Sequence, residues 1–335
     1  MKKGFLDVEV AESHLPSAWL GGKRACLESG EMAAPFHYAT ARQANLWMAL
    51  FRRYSPFSEE QGRELYRRTA RETADLLPER PAQLVSLGCG TAEKDLLVYE
   101  ALGGRSSRPD WVCVDGSLPL LLEAGQRARS RAERYRLVLA DVVLSDLLHR
   151  LAPREGGTPR LVTAFGLIPN LTPADFLAGL RGQLAAQDRL LLGANLAPVA
   201  KEDTQSYWES ATRILPQYAN PQTRLWLTEV LRDWGLRDMV DGYAMNAVRR
   251  DGWIRYEATV RWKRNRKLSL EDGSSVSVLA GALLRLFASY RFTLEGVARL
   301  LRANGFEPLC HWTLPSGEEG IWLAAPSSPG VMPTT

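Results

Sequence analysis

Residues 84 to 91, LVSLGCGT, set Gly88 and Gly90 two apart after an apolar run, with Thr91 next and a helical pattern beyond. Paired glycines let a backbone approach a ligand closely, Thr91 adds a hydroxyl, and a helix start offers free N–H groups. A dinucleotide site would put a third glycine where Glu93 and Lys94 stand, so hydride transfer is disfavoured. Asp115 closes WVCVD, and a carboxylate there accepts from the two hydroxyls of a ribose. Asp141 closes LVLAD, where a carboxylate can accept from an adenine amino group. Each aspartate alone could as well cap a helix. Glycine turn, acid and acid in that order describe an adenosine-bearing ligand without phosphates, for which S-adenosylmethionine is the fitting cofactor and S-adenosylhomocysteine the product.

The elements that must hold these residues alternate. Strands are expected over 84–89, 110–117, 135–142, 159–171 and 188–196, with helices over 93–102, 118–132 and 172–184 between them. Short apolar strands separated by helices make a parallel sheet covered on both faces. The fold class expected is therefore α/β, a Rossmann-like class I methyltransferase domain, with a second, smaller α+β substrate domain. Upstream, residues 37–58 and 58–77 read as helices, and residues 1–35 show little periodicity. After Leu196 the rhythm changes to helices over 200–240, antiparallel strands over 241–280, and a helix over 293–306 closed by Asn-Gly. The expected division is 60–196 plus 290–325 for the cofactor domain, 10–59 plus 197–289 for the substrate domain, and 326–335 as a frayed tail.

Composition narrows the classes. The 335 residues are 45% hydrophobic and 24% charged, ordinary globular values. No apolar run reaches the roughly 18 residues needed to span a bilayer, so no membrane is expected and the cytoplasm is the expected location. Cys26, Cys89, Cys113 and Cys310 stand far apart, which suggests neither a metal site nor a disulfide framework. Net charge is +4, but 42 basic residues are spread among 38 acidic ones. The dense run RWKRNRK, residues 261–267, lies in what reads as two strands joined at Asp272-Gly273-Ser274, and a solvated strand face accounts for it more simply than a nucleic-acid surface. A small-molecule substrate, no nucleic acid, and a monomer or weak homodimer are expected.

The chain resembles the histidine-specific methyltransferase family of ergothioneine biosynthesis, whose relatives act on other amino acids and amines. The resemblance runs from about 33 to 325 and rests on LGCGTAEKDLLVYEAL, VCVDGS, AFGLIPNLTPADFLAGLRGQL with DRLLLGANL, YANPQTRLWLTEVL, SYRFTLEGVARLLRANGF and HWTLPSG. It implies that Gly88, Gly90, Lys94, Asp115 and Asp141 line the cofactor. It also implies that Tyr38, Tyr54, Asn170 and Tyr218 face the amino and carboxylate groups of an amino acid.

The departures bear on substrate. The family's imidazole-reading segment has the form Thr-Glu-x-Ser, and here the line is LFASYRF, residues 286–292. Ser289 is kept, but Phe287 stands where the carboxylate belongs, and Ser86 replaces the acid before the glycine turn. A site that loses a buried acceptor should disfavour histidine, so an apolar side-chain pocket is expected. Methyl transfer is an in-line displacement that needs alignment and dryness rather than a covalent nucleophile. Tyr54 and Asn170 can accept the N–H bonds of a neutral amine and aim its lone pair, which makes them the catalytic candidates. A nucleic-acid or other macromolecular methyltransferase, or a cofactor-binding protein without turnover, are the alternatives from other classes.

Overall fold

The computed structural model describes residues 5–79, 81–103, 108–152, 158–199 and 203–327. Strand β1 (Glu9–Val10) leads into helices α1 (Pro16–Ser29), α2 (Ala41–Tyr54) and α3 (Glu60–Leu76). The alternating core follows as β2 (Gln83–Leu87), α4 (Glu93–Leu102), β3 (Asp110–Asp115), α5 (Leu118–Arg131), β4 (Tyr135–Leu139), α6 (Leu147–Arg150), β5 (Arg160–Ala164), α7 (Pro173–Arg181) and β6 (Arg189–Asn195). Helices α8 (Thr204–Ile214) and α9 (Pro221–Asp233) precede β7 (Val240–Arg250), β8 (Trp253–Trp262), β9 (Arg266–Ser269), β10 (Ser275–Val278) and β11 (Leu283–Arg291). Helix α10 (Leu294–Ala303), β12 (Phe306–Thr313) and β13 (Glu319–Pro326) close the chain.

The large sheet has the order β1-β4-β3-β2-β5-β6-β13-β12, parallel through β6 and antiparallel in the last two strands. Its central strands are apolar on both faces because both are covered. Val85, Leu87 and Val112 pack toward α6, α7 and α10, while Leu84, Trp111 and Cys113 pack toward α3, α4 and α5. This is the class I methyltransferase arrangement expected from the alternation. Strand order reverses between β2 and β5, and the crevice beyond their carboxyl ends is where such sheets take ligands.

A three-stranded antiparallel sheet, β11-β8-β7, carries the β9–β10 hairpin beside it. Trp226, Leu227, Val230 and Leu231 of α9 pack on Ala258, Val260 and Leu284 of this sheet, with Cys26 and Leu27 of α1 in the same cluster. The end of β11 meets the large sheet through the Leu196–Phe292 bridge.

Four expectations change. Residues 16–29 are helical where no periodicity was visible; Pro16 begins the helix and Gly30, at φ +71°, ends it. The basic region is three strands rather than two, for β8 ends at Trp262 and β9 begins at Arg266, while the Asp-Gly-Ser turn joins β9 to β10 as expected. The strand expected over 159–171 stops at Ala164, ahead of Gly166 at φ +76°. Of the expected tail, Pro326 belongs to β13 and the Ser327 N–H donates to Gly305 O, while residues 328–335 lie outside the described residues.

Candidate active site

The turn after β2 is built on left-handed backbone at Gly88 (φ +57°) and Gly90 (φ +54°). A Cβ on Gly88 would lie 2.3 Å from Leu167 Cδ2, and one on Gly90 would lie 3.2 Å from Trp47 Cη2. Left-handed backbone favours glycine at both positions, and a side chain at either would have to displace Leu167 or press on Trp47. Folding back, the Gly90 N–H donates to Asp115 Oδ2 at 2.7 Å and the Ser117 N–H to Oδ1 at 2.8 Å. Burial pushes the Asp115 carboxyl up to about 6, against those two hydrogen bonds. A buried carboxylate with lone pairs remaining on both oxygens suits the two hydroxyls of a ribose.

Tyr38, Tyr54, Gly88, Gly90, Thr91, Lys94, Asp115, Asp141, Asn170, Tyr218, Phe287 and Ser289 all line one cleft of about 360 Å³. That size suits a small molecule held against a sheet's carboxyl edge. Burial and the Asp115 charge raise the Tyr38 hydroxyl above the usual tyrosine range, so the phenol stays protonated. Thr91 Oγ1 donates weakly to Glu93, at 3.4 Å, and Arg127 ties the Thr91 carbonyl (2.8 Å) to the Glu93 carboxylate (2.6 Å).

Two of the expected cofactor residues have additional work. The Lys94 ammonium donates to Tyr66 Oη at 2.6 Å and to Glu319 Oε1 at 3.0 Å, and Tyr66 itself donates to Glu319. Asp141 Oδ1 accepts from the Val143 N–H at 3.1 Å, a local turn that leaves its second oxygen for a ligand. Asp95 of α4 was not singled out in the sequence. It accepts from Thr163, and Ser86 offsets part of the burial that raises its carboxyl.

At the other end of the cleft, Asn170 ends a 3-10 turn, and Thr172, not Asn170, occupies the N-cap of α7. The Asn170 amide nitrogen donates to Gly166 O at 3.1 Å, which leaves its oxygen as an acceptor. Tyr54 is 38% exposed, on the rim, and its hydroxyl donates to Gln222 Oε1 at 3.2 Å. The Phe287 and Trp226 rings meet edge to face at 6.0 Å.

Residues 45–326 match the model of the histidine-specific, S-adenosylmethionine-dependent methyltransferases. The chain belongs to this family. It is 28% identical over 270 residues to the histidine N-alpha-methyltransferase of Mycobacterium tuberculosis (strain CDC 1551 / Oshkosh), covering 76% of this chain and 81% of the relative. Identity to the protein of the same description from Mycolicibacterium smegmatis is 29% over 247 residues, covering 72% and 74%. Among solved structures it aligns with an S-adenosylmethionine-dependent methyltransferase from Clostridium acetobutylicum at 12% identity and a TM-score of 0.45, covering 85% of this chain and 99% of that one.

The enzyme is thus an S-adenosylmethionine-dependent methyltransferase, and the glycine-turn end of its cleft fits that ligand: the backbone is left-handed and bare of side chains at Gly88 and Gly90, and Asp115 is buried with acceptor capacity to spare. When bound, the cofactor supplies a methyl group activated by a sulfonium. The cleft around Phe287 changes one expectation. Its wall is not wholly apolar, because Arg291 lines the cleft on the same strand as Phe287 and Ser289. Among the described residues no helix is long and apolar enough to cross a membrane, and Arg264 and Arg266 of the basic run are exposed.

Proposed function

We propose that the enzyme methylates the amino nitrogen of a small amino acid or amine other than histidine, in secondary metabolism. The observation that carries this reading is Phe287, whose ring faces Trp226 in the cleft where the family resemblance places an imidazole-reading carboxylate. A ring N–H brought there meets an aryl surface and loses its acceptor, a loss that selects strongly against the substrate that needs it.

In this reading Tyr38, Tyr54, Asn170 and Tyr218 hold the acceptor, with Phe287 and Ser289 against its side chain. Gly88, Gly90, Thr91, Lys94, Asp115 and Asp141 hold the cofactor. Asn170, fixed by its bond to the Gly166 carbonyl, accepts an N–H of the neutral amine through its amide oxygen, and the Tyr54 hydroxyl accepts a second. The nitrogen lone pair is then aimed at the methyl group, for which the bound sulfonium would be donor and leaving group, and the surplus proton passes to water. Residues 60–196 with 290–325 form the cofactor domain and 10–59 with 197–289 the acceptor domain. The protein works in the cytoplasm as a monomer or weak homodimer.

The test is mass spectrometry after incubation with methyl-labelled cofactor and a pool of free amino acids and amines. Label is expected in an N-methyl group of a small molecule. Label found in macromolecules alone, or none anywhere, contradicts the reading.

A further inference from the structure

Three arginines among the described residues are more than nine-tenths buried. Arg160 is paired with Asp188 at 2.7 Å, and Arg255 is paired with Glu257. Arg291, only 1% exposed, has no carboxylate within ion-pair distance among the described residues. Its Nη1 donates to Tyr290 O at 2.8 Å and to Ser289 Oγ at 3.3 Å. The guanidinium carbon lies 4.2 Å from the Tyr218 ring centre and 4.5 Å from that of Tyr256. Among the described residues Nε and Nη2 meet no hydrogen-bond acceptor in good geometry, the Tyr256 hydroxyl being the one polar side chain besides Ser289 that feels this guanidinium.

An unpaired buried cation is costly, and two aromatic faces offset only part of the cost. The two free nitrogens form one edge of the guanidinium, the edge whose parallel N–H bonds match the two oxygens of a carboxylate. Arg291 also lines the cleft, and on β11 it stands two and four residues beyond Ser289 and Phe287, on the face they share. The other carboxylates on this wall are engaged elsewhere. Glu319 is held by Tyr66 and Lys94, and Glu318 accepts from Gln217 at 3.5 Å.

The geometry points to Arg291 as the anchor for a carboxylate of the methyl acceptor, so that the substrate is an amino compound bearing an acid rather than a simple amine. This rests on the acceptor reading proposed above. The carboxylate is either the α-carboxylate of an amino acid or an acid in its side chain, and both present the same two oxygens to Nε and Nη2.

The experiment is binding to the protein loaded with S-adenosylhomocysteine, followed by fluorescence of the cleft tryptophans, Trp47 and Trp226. Because binding is read without turnover, it stands or falls separately from the methyl-transfer reading. Probes are the free amino acids, their α-carboxamides and the corresponding decarboxylated amines, with Asp against Asn and Glu against Gln. At least one free acid should bind about 30-fold or more tighter than its partner lacking one carboxylate. Loss in the α-carboxamide assigns the contact to the α-carboxylate, and loss from Asp to Asn or Glu to Gln assigns it to the side chain. Arg291→Gln should weaken the acid to the level of its amide while leaving S-adenosylhomocysteine affinity within about twofold, and Arg291→Lys should recover part of the difference. If Arg291→Gln loses S-adenosylhomocysteine binding through misfolding, Arg291→Lys alone decides between acid and amide. Equal affinity for acids and amides in the wild-type protein, no binding of any acid, or unchanged discrimination in a folded Arg291 variant overturns the inference.

Discussion

The Gly90 N–H donates a 2.7 Å hydrogen bond to Asp115 Oδ2, tying the glycine turn after β2 to the tip of β3. One carboxylate therefore shapes the turn and, in the proposed reading, presents acceptors to the cofactor. Asp115→Ala should weaken S-adenosylhomocysteine binding about 100-fold or more, since two charge-assisted contacts are lost along with the brace for the turn. Titration calorimetry decides it, and a change under threefold would separate Asp115 from the cofactor.

The raised Asp115 value carries a pH dependence of definite sign. Ribose hydroxyls donate to the ionised carboxylate, so the dissociation constant of S-adenosylhomocysteine should rise about tenfold per pH unit as pH falls below about 6. In the cofactor-free protein the sign reverses: this group's contribution to stability is full below the ordinary carboxylate range, near pH 4, and is lost as pH rises through about 6. Asp115→Asn should flatten both profiles in calorimetry and in denaturant melts taken across that window.

Under the proposed roles, Asn170 separates chemistry from cofactor binding. Asn170→Ala should lower kcat about 100-fold, through lost alignment of the amine, and change S-adenosylhomocysteine affinity by no more than about twofold. Loss of cofactor affinity equal to that of Asp115→Ala would place Asn170 in the wrong half of the cleft.

The Lys94–Glu319–Tyr66 cluster joins α4, β13 and α3 beneath the cofactor end. Removing one charge from a largely buried pair leaves the other uncompensated, so Glu319→Gln should cost about 3 kcal/mol in urea unfolding. A loss below about 0.5 kcal/mol would mean that solvent screens this pair.

How far the sequence reaches is uneven, for physical reasons. The parallel sheet was readable because doubly buried strands leave uninterrupted apolar runs, and the glycine turn and Asp115 because backbone constraints demand those residue types. Helix α1 was not, since Gly21 and Gly22 interrupt its weakly amphipathic face; the pair Pro16 and Gly30 at its ends was the available signal. Arg291 was missed because an arginine in an alternating strand reads as solvent-facing, whereas the bridge from Phe292 to Leu196 carries the end of β11 into the cleft wall. Asp95 reads as a first-turn helix acid, and only the packing of α4 against β2 and β5 brings it to Ser86 and Thr163.

In the proposed reading substrate choice turns on Phe287, and the most direct measurement is kcat/KM for histidine in the wild-type enzyme and in Phe287→Glu, beside the best acceptor found in the labelled pool. The wild-type enzyme should prefer that acceptor over histidine by about 100-fold or more, and Phe287→Glu should raise histidine turnover about tenfold or more by restoring an acceptor for the ring N–H. Histidine emerging as the preferred wild-type substrate, with Phe287→Glu bringing no gain, would contradict the account at its centre.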